Sequence, residues 1–297
     1  MIINDTQVQT LIEALPYLRD FKDKTIVVKY GGNAMLNDQI KNKVLQDIVF
    51  LQCAGMRPVV VHGGGPEITA MLMQAGKKSE FVSGLRVTDA ESVGIAEMAL
   101  VGKINTDLVA RLNTLGGRAV GLNGKDANLV QAKKQLADVY ENGEVNLVDI
   151  GYVGNVEHVN TDLIEVLLAN GFIPVIAPTG VGSSGETYNI NADSVAGEIA
   201  GALKAEKLLV LTDVRGIYSD YRDENSFIST LTFEKAQELI IRGKIDGGMI
   251  PKVRACITAL SGGAKKTHII DGRAEHTILM EIFSDKGVGT EVVKELR

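Results

Sequence analysis

The feature that most restricts the fold is a set of short, nearly uninterrupted apolar runs, each ending at glycine or a polar residue. Residues 25–30 (Thr-Ile-Val-Val-Lys-Tyr), 58–62 (Pro-Val-Val-Val-His), 172–177 (Phe-Ile-Pro-Val-Ile-Ala), 208–211 (Leu-Leu-Val-Leu) and 267–270 (Thr-His-Ile-Ile) lack the alternation of a half-exposed strand. A strand that is apolar on both faces is covered on both faces, the condition inside a parallel sheet. Between these runs the period changes. Residues 39–54 place Ile40, Val44, Ile48 and Leu51 at helical spacing, with Gly55 as the stop. Helical spacing also marks the stretch from Pro66 to about Ala75, then 90–100, 103–114, 162–169, 192–203, 233–242 and 250–260. Residues 119–122 read as a further short strand, followed by polar hairpin material to Val159. Strands alternating with helices predict an α/β chain, a three-layer αβα sandwich with a mostly parallel central sheet. No internal repeat of solenoid length is present.

At 297 residues the chain is long for one small domain. A seam rich in glycine and serine at 178–185 predicts a division into 23–178 and 179–297, preceded by a helical arm at 1–22. Lys and Arg total 31 against 37 Asp and Glu, a net charge of −6. No general basic field therefore holds nucleic acid or an anionic membrane, and a bound anion must be met locally. Cys53 and Cys256 sit in helical patterns and not in a Cys-x-x-Cys or secreted framework, as suits a reduced compartment. No apolar stretch approaches the roughly 18 residues of a membrane span. The first five residues lack the basic flank of a signal peptide, so the chain is expected to act in the cytoplasm as synthesised.

In open α/β sheets ligands bind beyond the carboxyl ends of the strands, so the residues just after each strand matter most. Lys29 is the penultimate residue of the first strand, just before Gly31-Gly32. A lysine in an apolar run is costly unless its ammonium meets a partner, and the glycines let backbone N–H groups approach a ligand. An edge lysine snorkelling to solvent is the plainer alternative. The second strand runs into His62-Gly63-Gly64-Gly65-Pro66. Glycine amides at a helix N-terminus make an anion site, or else only a tight turn. His62 alone reads as a hydrogen-bonded structural residue. Asn191 and Asp193, in Asn189-Ile190-Asn191-Ala192-Asp193, suit a helix cap. Lys252, in Gly247-Gly248-Met249-Ile250-Pro251-Lys252, stands where a helix N-terminus disfavours a cation, which points to a compensating anion. No Gly-x4-Gly-Lys-Ser/Thr loop occurs. Gly180-x-Gly182-x-x-Gly185 comes after a strand but precedes extended chain, so it reads as a hairpin and not as a dinucleotide fingerprint.

Taken together, Lys29-Tyr30-Gly31-Gly32, Val61-His62-Gly63-Gly64-Gly65, Ser83-Gly84-Leu85-Arg86-Val87-Thr88, Asn189-Ile190-Asn191-Ala192-Asp193, Leu211-Thr212-Asp213-Val214-Arg215-Gly216-Ile217-Tyr218 and Gly248-Met249-Ile250-Pro251-Lys252 resemble the amino acid kinase family, in order and over essentially the whole chain. The Gly-Leu-Arg-Val-Thr and Asn-x-Asn-Ala-Asp elements resemble the branch that phosphorylates the side-chain carboxylate of N-acetyl-L-glutamate with ATP in arginine biosynthesis. The resemblance implies ATP and Mg2+, with Lys29 and Lys252 stabilising the transferring phosphoryl group and Asp193 holding both lysines. It implies phosphate contacts at Gly31 and Gly32, and an acyl-substrate site at Gly64, Gly65, Arg86 and Asn189, with Asn191 beside it. It assigns Asp213, Gly216, Ile217, Tyr218, Gly248, Met249 and Lys252 to the nucleotide. A kinase of aspartate, glutamate or carbamate, or a non-catalytic arginine sensor, is the alternative. The chemistry is consistent with the first reading. Phosphoryl transfer needs in-line positioning and charge neutralisation. The acceptor carboxylate, with a pKa of roughly 4.3, is already ionised and needs no base. Arg86 suits a second substrate carboxylate, held bidentately.

Ahead of the first strand, Val8, Leu11, Ile12, Leu15 and Leu18 form an apolar stripe at helical spacing, with Pro16 expected to kink it. Such a stripe docks either on its own chain or on a neighbouring subunit. The extension is similar to that of arginine-inhibited members of the family, in which these helices interlace dimers into a hexamer. That likeness implies L-arginine as inhibitor, with His268, Glu281, Gly287 and Gly289 at its site, and a nitrogen-signalling protein as a further candidate partner. Glu281 suits a guanidinium, or is simply a solvated helix residue.

Overall fold

A computed structural model describes residues 5–35, 37–141, 144–220, 222–245, 247–285 and 287–295; residues 1–4 of the expected arm lie outside these. Helix α1 (Asp5–Phe21) continues through Pro16 and leads to β1 (Thr25–Tyr30), α2 (Asp38–Cys53), β2 (Arg57–His62) and α3 (Gly65–Gln74). A small hairpin, β3 (Phe81–Val82) and β4 (Leu85–Arg86), precedes α4 (Ala90–Glu97). The helices expected at 90–100 and 103–114 are joined: a π-helical stretch, Met98–Asn105, links α4 to α5 (Thr106–Thr114) without a break. Gly102 lies inside this widened stretch.

Next come β5 (Ala119–Asn123), the long strands β6 (Val130–Glu141) and β7 (Glu144–Val159), α6 (Asp162–Ala169), β8 (Ile173–Ala177), β9 (Thr179–Val181), β10 (Thr187–Ile190) and α7 (Ala192–Ala202). The chain continues through β11 (Lys207–Thr212), β12 (Ile217–Tyr218), β13 (Phe227–Ile228), β14 (Thr230–Thr232), α8 (Phe233–Ile241), α9 (Met249–Gly262) and β15 (Lys266–Asp271). After β15, which contains the run at 267–270, come α10 (Thr277–Ile282) and β16 (Thr290–Val293), neither of which the sequence pattern marked.

Eight of the described strands form one sheet in the order β14-β16-β15-β11-β1-β2-β8-β5. Every neighbouring pair is parallel except β15 and β16. The period-2 geometry of β1 sends Val27 to one face and Ile26, Val28 and Tyr30 to the other, all fully buried. Val27 packs in a core with α7 and α9, whereas Val28 packs in a second core with α2 and α5. The continuous apolar runs are the sequence trace of this double burial. Strands β6, β7, β9 and β10 close into a small barrel. The Gly180 to Gly185 pattern runs from within β9 into the turn of the β9–β10 hairpin, closed by the Gly182 N–H donating to Glu186 O at 2.8 Å. The expected division at 178/179 falls between β8 and β9, and β9 and β10 pair back onto β6 and β7. Among the described residues no helix is long and apolar enough to cross a membrane.

Candidate functional site: two lysines on one aspartate at a cation-rich cleft

Parallel strands put all their carboxyl ends on one edge of the sheet, and β1 lies between β11 and β2 in its middle. Lys29 is therefore enclosed, 5% exposed, and not an edge residue. Its ammonium meets Asp193 Oδ1 at 2.8 Å, and Lys252 Nζ donates to Asp193 Oδ2 at 3.0 Å. Asp193 stands in the first turn of α7, behind the cap that Asn191 supplies by accepting from the N–H groups of Asp193 and Ser194. Within this segment Asn191 caps the helix and Asp193 bridges two cations.

Close packing of α7 on α9 delivers this geometry. A methyl on Gly197 would lie 2.6 Å from Ala255 O, and one on Gly262 would lie 2.7 Å from Gly201 Cα, so the helix backbones touch through glycine. Their N-termini, carrying Asp193 and Lys252, arrive together. Neither Gly197 nor Gly201 was singled out in the sequence, although their i, i+4 spacing puts a groove along one face of α7. Gly197→Ala is expected to force the helices apart, lowering stability by about 1–3 kcal/mol and turnover with it, as read by thermal unfolding beside an activity assay.

Burial works to raise the Asp193 carboxyl, but the charges of Lys29 and Lys252 and then their hydrogen bonds outweigh it and hold the group below the usual carboxylate range. Lys29 is shifted down, chiefly because it is buried, with Lys252 adding to the shift and Asp193 opposing it. The carboxylate is thus a fixed anion, and its two cations sit beside open space.

That space is a cleft of about 930 Å³ lined by Lys29, Gly31, Gly32, Asp213, Gly216, Ile217, Tyr218, Gly248, Met249 and Lys252, among others. Every residue expected at the phosphates or the nucleotide is there. Sequence reading missed Asp220 and Arg222, which also line it, as does Lys244. Among the described lining residues four cations, Lys29, Arg222, Lys244 and Lys252, stand against Asp213 and Asp220. This is the local meeting of anions that a chain of net charge −6 requires. Gly248 caps α9 without a side chain, and with Met249 it brings the positive end of that helix to the cleft. Gly216 leaves room for Thr290, whose hydroxyl accepts from the Ile217 N–H at 2.8 Å and pins the Asp213 to Tyr218 turn to β16.

The pattern of the amino acid kinase family matches residues 24–271, most of the chain. The chain belongs to the amino acid kinase family. It is 59% identical over 283 residues to the acetylglutamate kinase of Moorella thermoacetica, covering 95% of this chain and 96% of that one. It is 56% identical to the acetylglutamate kinase of Pelotomaculum thermopropionicum, covering 96% of this chain and 97% of that one. Among solved structures, N-acetylglutamate synthase from Neisseria gonorrhoeae, complexed with coenzyme A and N-acetyl-glutamate, matches with a TM-score of 0.82 and 28% identity over 98% of this chain, which spans 64% of that one. Carbamate kinase from Giardia lamblia bound to AMP-PNP shares the fold, with a TM-score of 0.65 and 19% identity over 92% of this chain and 99% of that one.

The remaining expected residues of this amino acid kinase lie in two further places. At the end of β2, Gly64 caps α3 and Gly65 opens it, with no described residue accepting from either N–H. Arg86 Nη2 donates to Gly65 O at 3.1 Å and to Thr69 Oγ1 at 2.8 Å, Nη1 donates to Ser79 Oγ, and Phe81 lies 4.7 Å from the guanidinium. Three of its five N–H groups are thus engaged in fixing the side chain, which leaves two for a ligand. Thr69, Ser79 and Phe81 had no sequence signal of this role. Asn189 sits on β10 between the buried Tyr188 and Ile190, so its side chain takes the opposite face of the strand.

His268, Glu281 and Gly287 also come together, away from the cleft. Glu281 is 1% exposed, not the solvated residue that was one expectation. One oxygen meets His268 Nδ1 at 2.9 Å and Lys207 Nζ at 3.5 Å, and the other accepts from the Val288 N–H at 2.9 Å. Burial would raise this carboxyl, but these contacts, His268 foremost, hold it at about 2. A side chain on Gly287 would strike the Glu281 carboxylate, and one on Gly289 would strike Ile269 O.

Proposed function

We propose that this chain transfers the γ-phosphoryl group of ATP to the side-chain carboxylate of N-acetyl-L-glutamate, giving N-acetyl-L-glutamyl 5-phosphate and ADP as a cytoplasmic step of arginine biosynthesis. The carrying observation is Asp193 gripping Lys29 and Lys252 at the mouth of a cation-rich cleft. The residues after 178 that line the cleft take the nucleotide. The acyl substrate lies against Gly64, Gly65, Arg86 and Asn189, largely within 23–178. Lys29 belongs to the strand between the two groups, where the charge of the transferring group develops. The acceptor is already an anion at neutral pH and attacks without a base, so the side chains position groups and neutralise charge but move no proton. An acetylated amine carries no charge, which fits a site whose named side chains, Arg86 and Asn189, include no carboxylate.

Magnesium fits as a partner of the nucleotide. Asp213 and Asp220 are the lining carboxylates that would hold it, through water, and among the described residues no group of three or more His, Cys, Asp or Glu stands together as a protein cage. Bound on the phosphates, it would add charge neutralisation there.

Regulation by L-arginine is part of the same reading. A guanidinium reaching Glu281 would take the place of the Lys207 ammonium, and Lys207 would be free to pair with the inhibitor's own carboxylate. Support for a hexamer, a trimer of dimers, comes from α1. Val8, Leu11, Ile12 and Leu15 are 48%, 66%, 58% and 59% exposed on this chain, so its own domain does not cover the stripe. Farther along, the Tyr17 hydroxyl donates to Asp285 at 2.6 Å and its ring meets Phe283 edge-on, tying α1 to the segment just after Glu281.

Coupled measurement of ADP release with N-acetyl-L-glutamate, L-glutamate and L-aspartate in parallel tests the function. Turnover is expected with the acetylated substrate at least about 10²-fold above the others, since the two free amino acids lack the buried polar match. Equal use of L-glutamate or L-aspartate would reject the assignment. In the same assay millimolar arginine is expected to inhibit, and deletion of residues 1–20 to weaken that inhibition and shrink the oligomer. A truncated protein still hexameric by light scattering would end the interlacing idea.

A further inference from the structure

Behind the glycine loop at the end of β2 lies a buried polar contact that the phosphoryl-transfer chemistry leaves unused. His62, the last residue of β2, is 0% exposed. Its Nδ1 is 2.9 Å from Gly63 O and its Nε2 is 3.1 Å from Asn105 Nδ2. A carbonyl oxygen only accepts and an amide nitrogen only donates, so one tautomer satisfies both contacts: hydrogen on Nδ1 and a lone pair on Nε2. Burial pushes the ring down to about 4, which keeps it neutral at neutral pH, and no charged group among the described residues contributes to that shift. Asn105 Nδ2 also donates to Val175 O at 2.9 Å, tying the ring to β8.

Asn105 closes the π-helical stretch Met98–Asn105. One inserted residue rotates the remainder of a helix by about 100° about its axis, so a regular α-helix would turn this amide away from the sheet. The same stretch presses on the loop directly, for a methyl on Gly64 would run into Ile104 Cδ1 and Leu100 Cδ2. The Gly63 N–H donates to Tyr30 O at 2.7 Å. Gly63 is thus fastened from behind by the imidazole and by β1, and Gly64 by the widened turn. Among the described residues no group accepts from the Gly64 or Gly65 N–H at the start of α3.

We propose that Asn105 is a positioning residue for the acyl-substrate loop, holding His62 in one tautomer and one orientation so that the Gly63 peptide, and the Gly64 and Gly65 N–H groups after it, point at the substrate. This role rests on the proposed assignment of Gly64 and Gly65 to the acyl substrate. Asn105 touches no reacting atom. Its effect passes through His62.

Asn105→Asp tests the contact with little change of shape, because it exchanges the donor for a carboxylate oxygen. The lone pair of His62 Nε2 would then face an anion, and the ring is expected to take up a proton there. Nitrogen-15 NMR of the four imidazoles in the full-length protein, with His62 assigned by its absence in His62→Asn, reads this out: neutral at pH 6 in the wild type, protonated in Asn105→Asp. In steady-state kinetics Asn105→Asp and Asn105→Ala are expected to raise KM for N-acetyl-L-glutamate and lower kcat, together on the order of 10²-fold in kcat/KM, with KM for ATP little changed. The alanine variant carries the kinetic test if the buried aspartate prevents folding. Unchanged kcat/KM for the acyl substrate in both variants, or equal losses toward ATP and the acyl substrate, would overturn the proposal. Wild-type protein that fails to phosphorylate N-acetyl-L-glutamate would instead overturn the functional assignment, while the His62 spectrum would still report whether Asn105 sets the tautomer.

Discussion

Alanine at Lys29 or at Lys252 is expected to lower kcat by about 10²- to 10³-fold, roughly 2.7–4 kcal/mol of transition-state stabilisation, with KM for either substrate moving only a few-fold. Both ammonium groups lie on one carboxylate, and both line the cleft. Asp193 fixes them before substrate arrives, so no reorganisation is needed as charge develops on the transferring oxygens. The two variants differ in a second respect. Lys252 stands in the first turn of α9, where the helix end disfavours a cation, so its removal relieves a local cost. Lys29 is enclosed between β11 and β2, and its removal leaves Asp193 buried with one cation. Lys29→Ala is therefore expected to lower the thermal midpoint more than Lys252→Ala at a similar loss of kcat. Steady-state kinetics and thermal unfolding on the same preparations check both, and undiminished turnover in purified Lys29→Ala sinks the assignment.

Strands β1, β2, β8, β11 and β15 of the central sheet were legible because double burial writes itself as a short uninterrupted apolar run, as at 25–30 and 58–62. The cap at Asn191 was legible for a similar reason, since a cap is local. Nothing local says that residues 29, 193 and 252 meet. That juxtaposition depends on α7 and α9 touching through Gly197, Gly201 and Gly262, and glycine inside a helix ordinarily reads as a weakness. The resemblance to a family, and not spacing or composition, supplied the three residues as a set. Glu281 shows the same limit from the other side. Its helix position suggested exposure, but Lys207, 74 residues away in sequence, and His268 bury it in a charge cluster. The short α10 and β16 lacked enough residues to show a period. The π-helical stretch was hidden because its extra residue per turn breaks the 3.6-residue spacing by which helices are read.

Asp193→Asn separates the charge of the bridge from its shape, and its consequences for activity and stability are expected to run in opposite directions with pH. In the wild type burial already lowers the Lys29 pKa, and the Asp193 charge is the largest opposing influence. An amide in its place removes that support while Lys252 continues to repel, so the Lys29 pKa falls further. The ammonium is the form that stabilises the phosphoryl group, and it exists only below that pKa. The alkaline limb of kcat is therefore expected to move toward lower pH, with activity partly recovering on acidification. Stability has the opposite sign. Between the depressed folded pKa of Lys29 and its ordinary value of 10.5 the unfolded chain binds the extra proton, so stability rises with pH across that interval. At the acidic end both lysines are charged with no carboxylate between them, and the loss there is expected to be about 3–5 kcal/mol, the usual cost of breaking a buried pair. Toward alkaline pH the loss shrinks as Lys29 becomes neutral. Paired profiles of kcat and thermal midpoint against pH on Asp193→Asn and wild type read both slopes. Activity and stability declining together as pH rises would mean that Asp193 does not set the charge of Lys29.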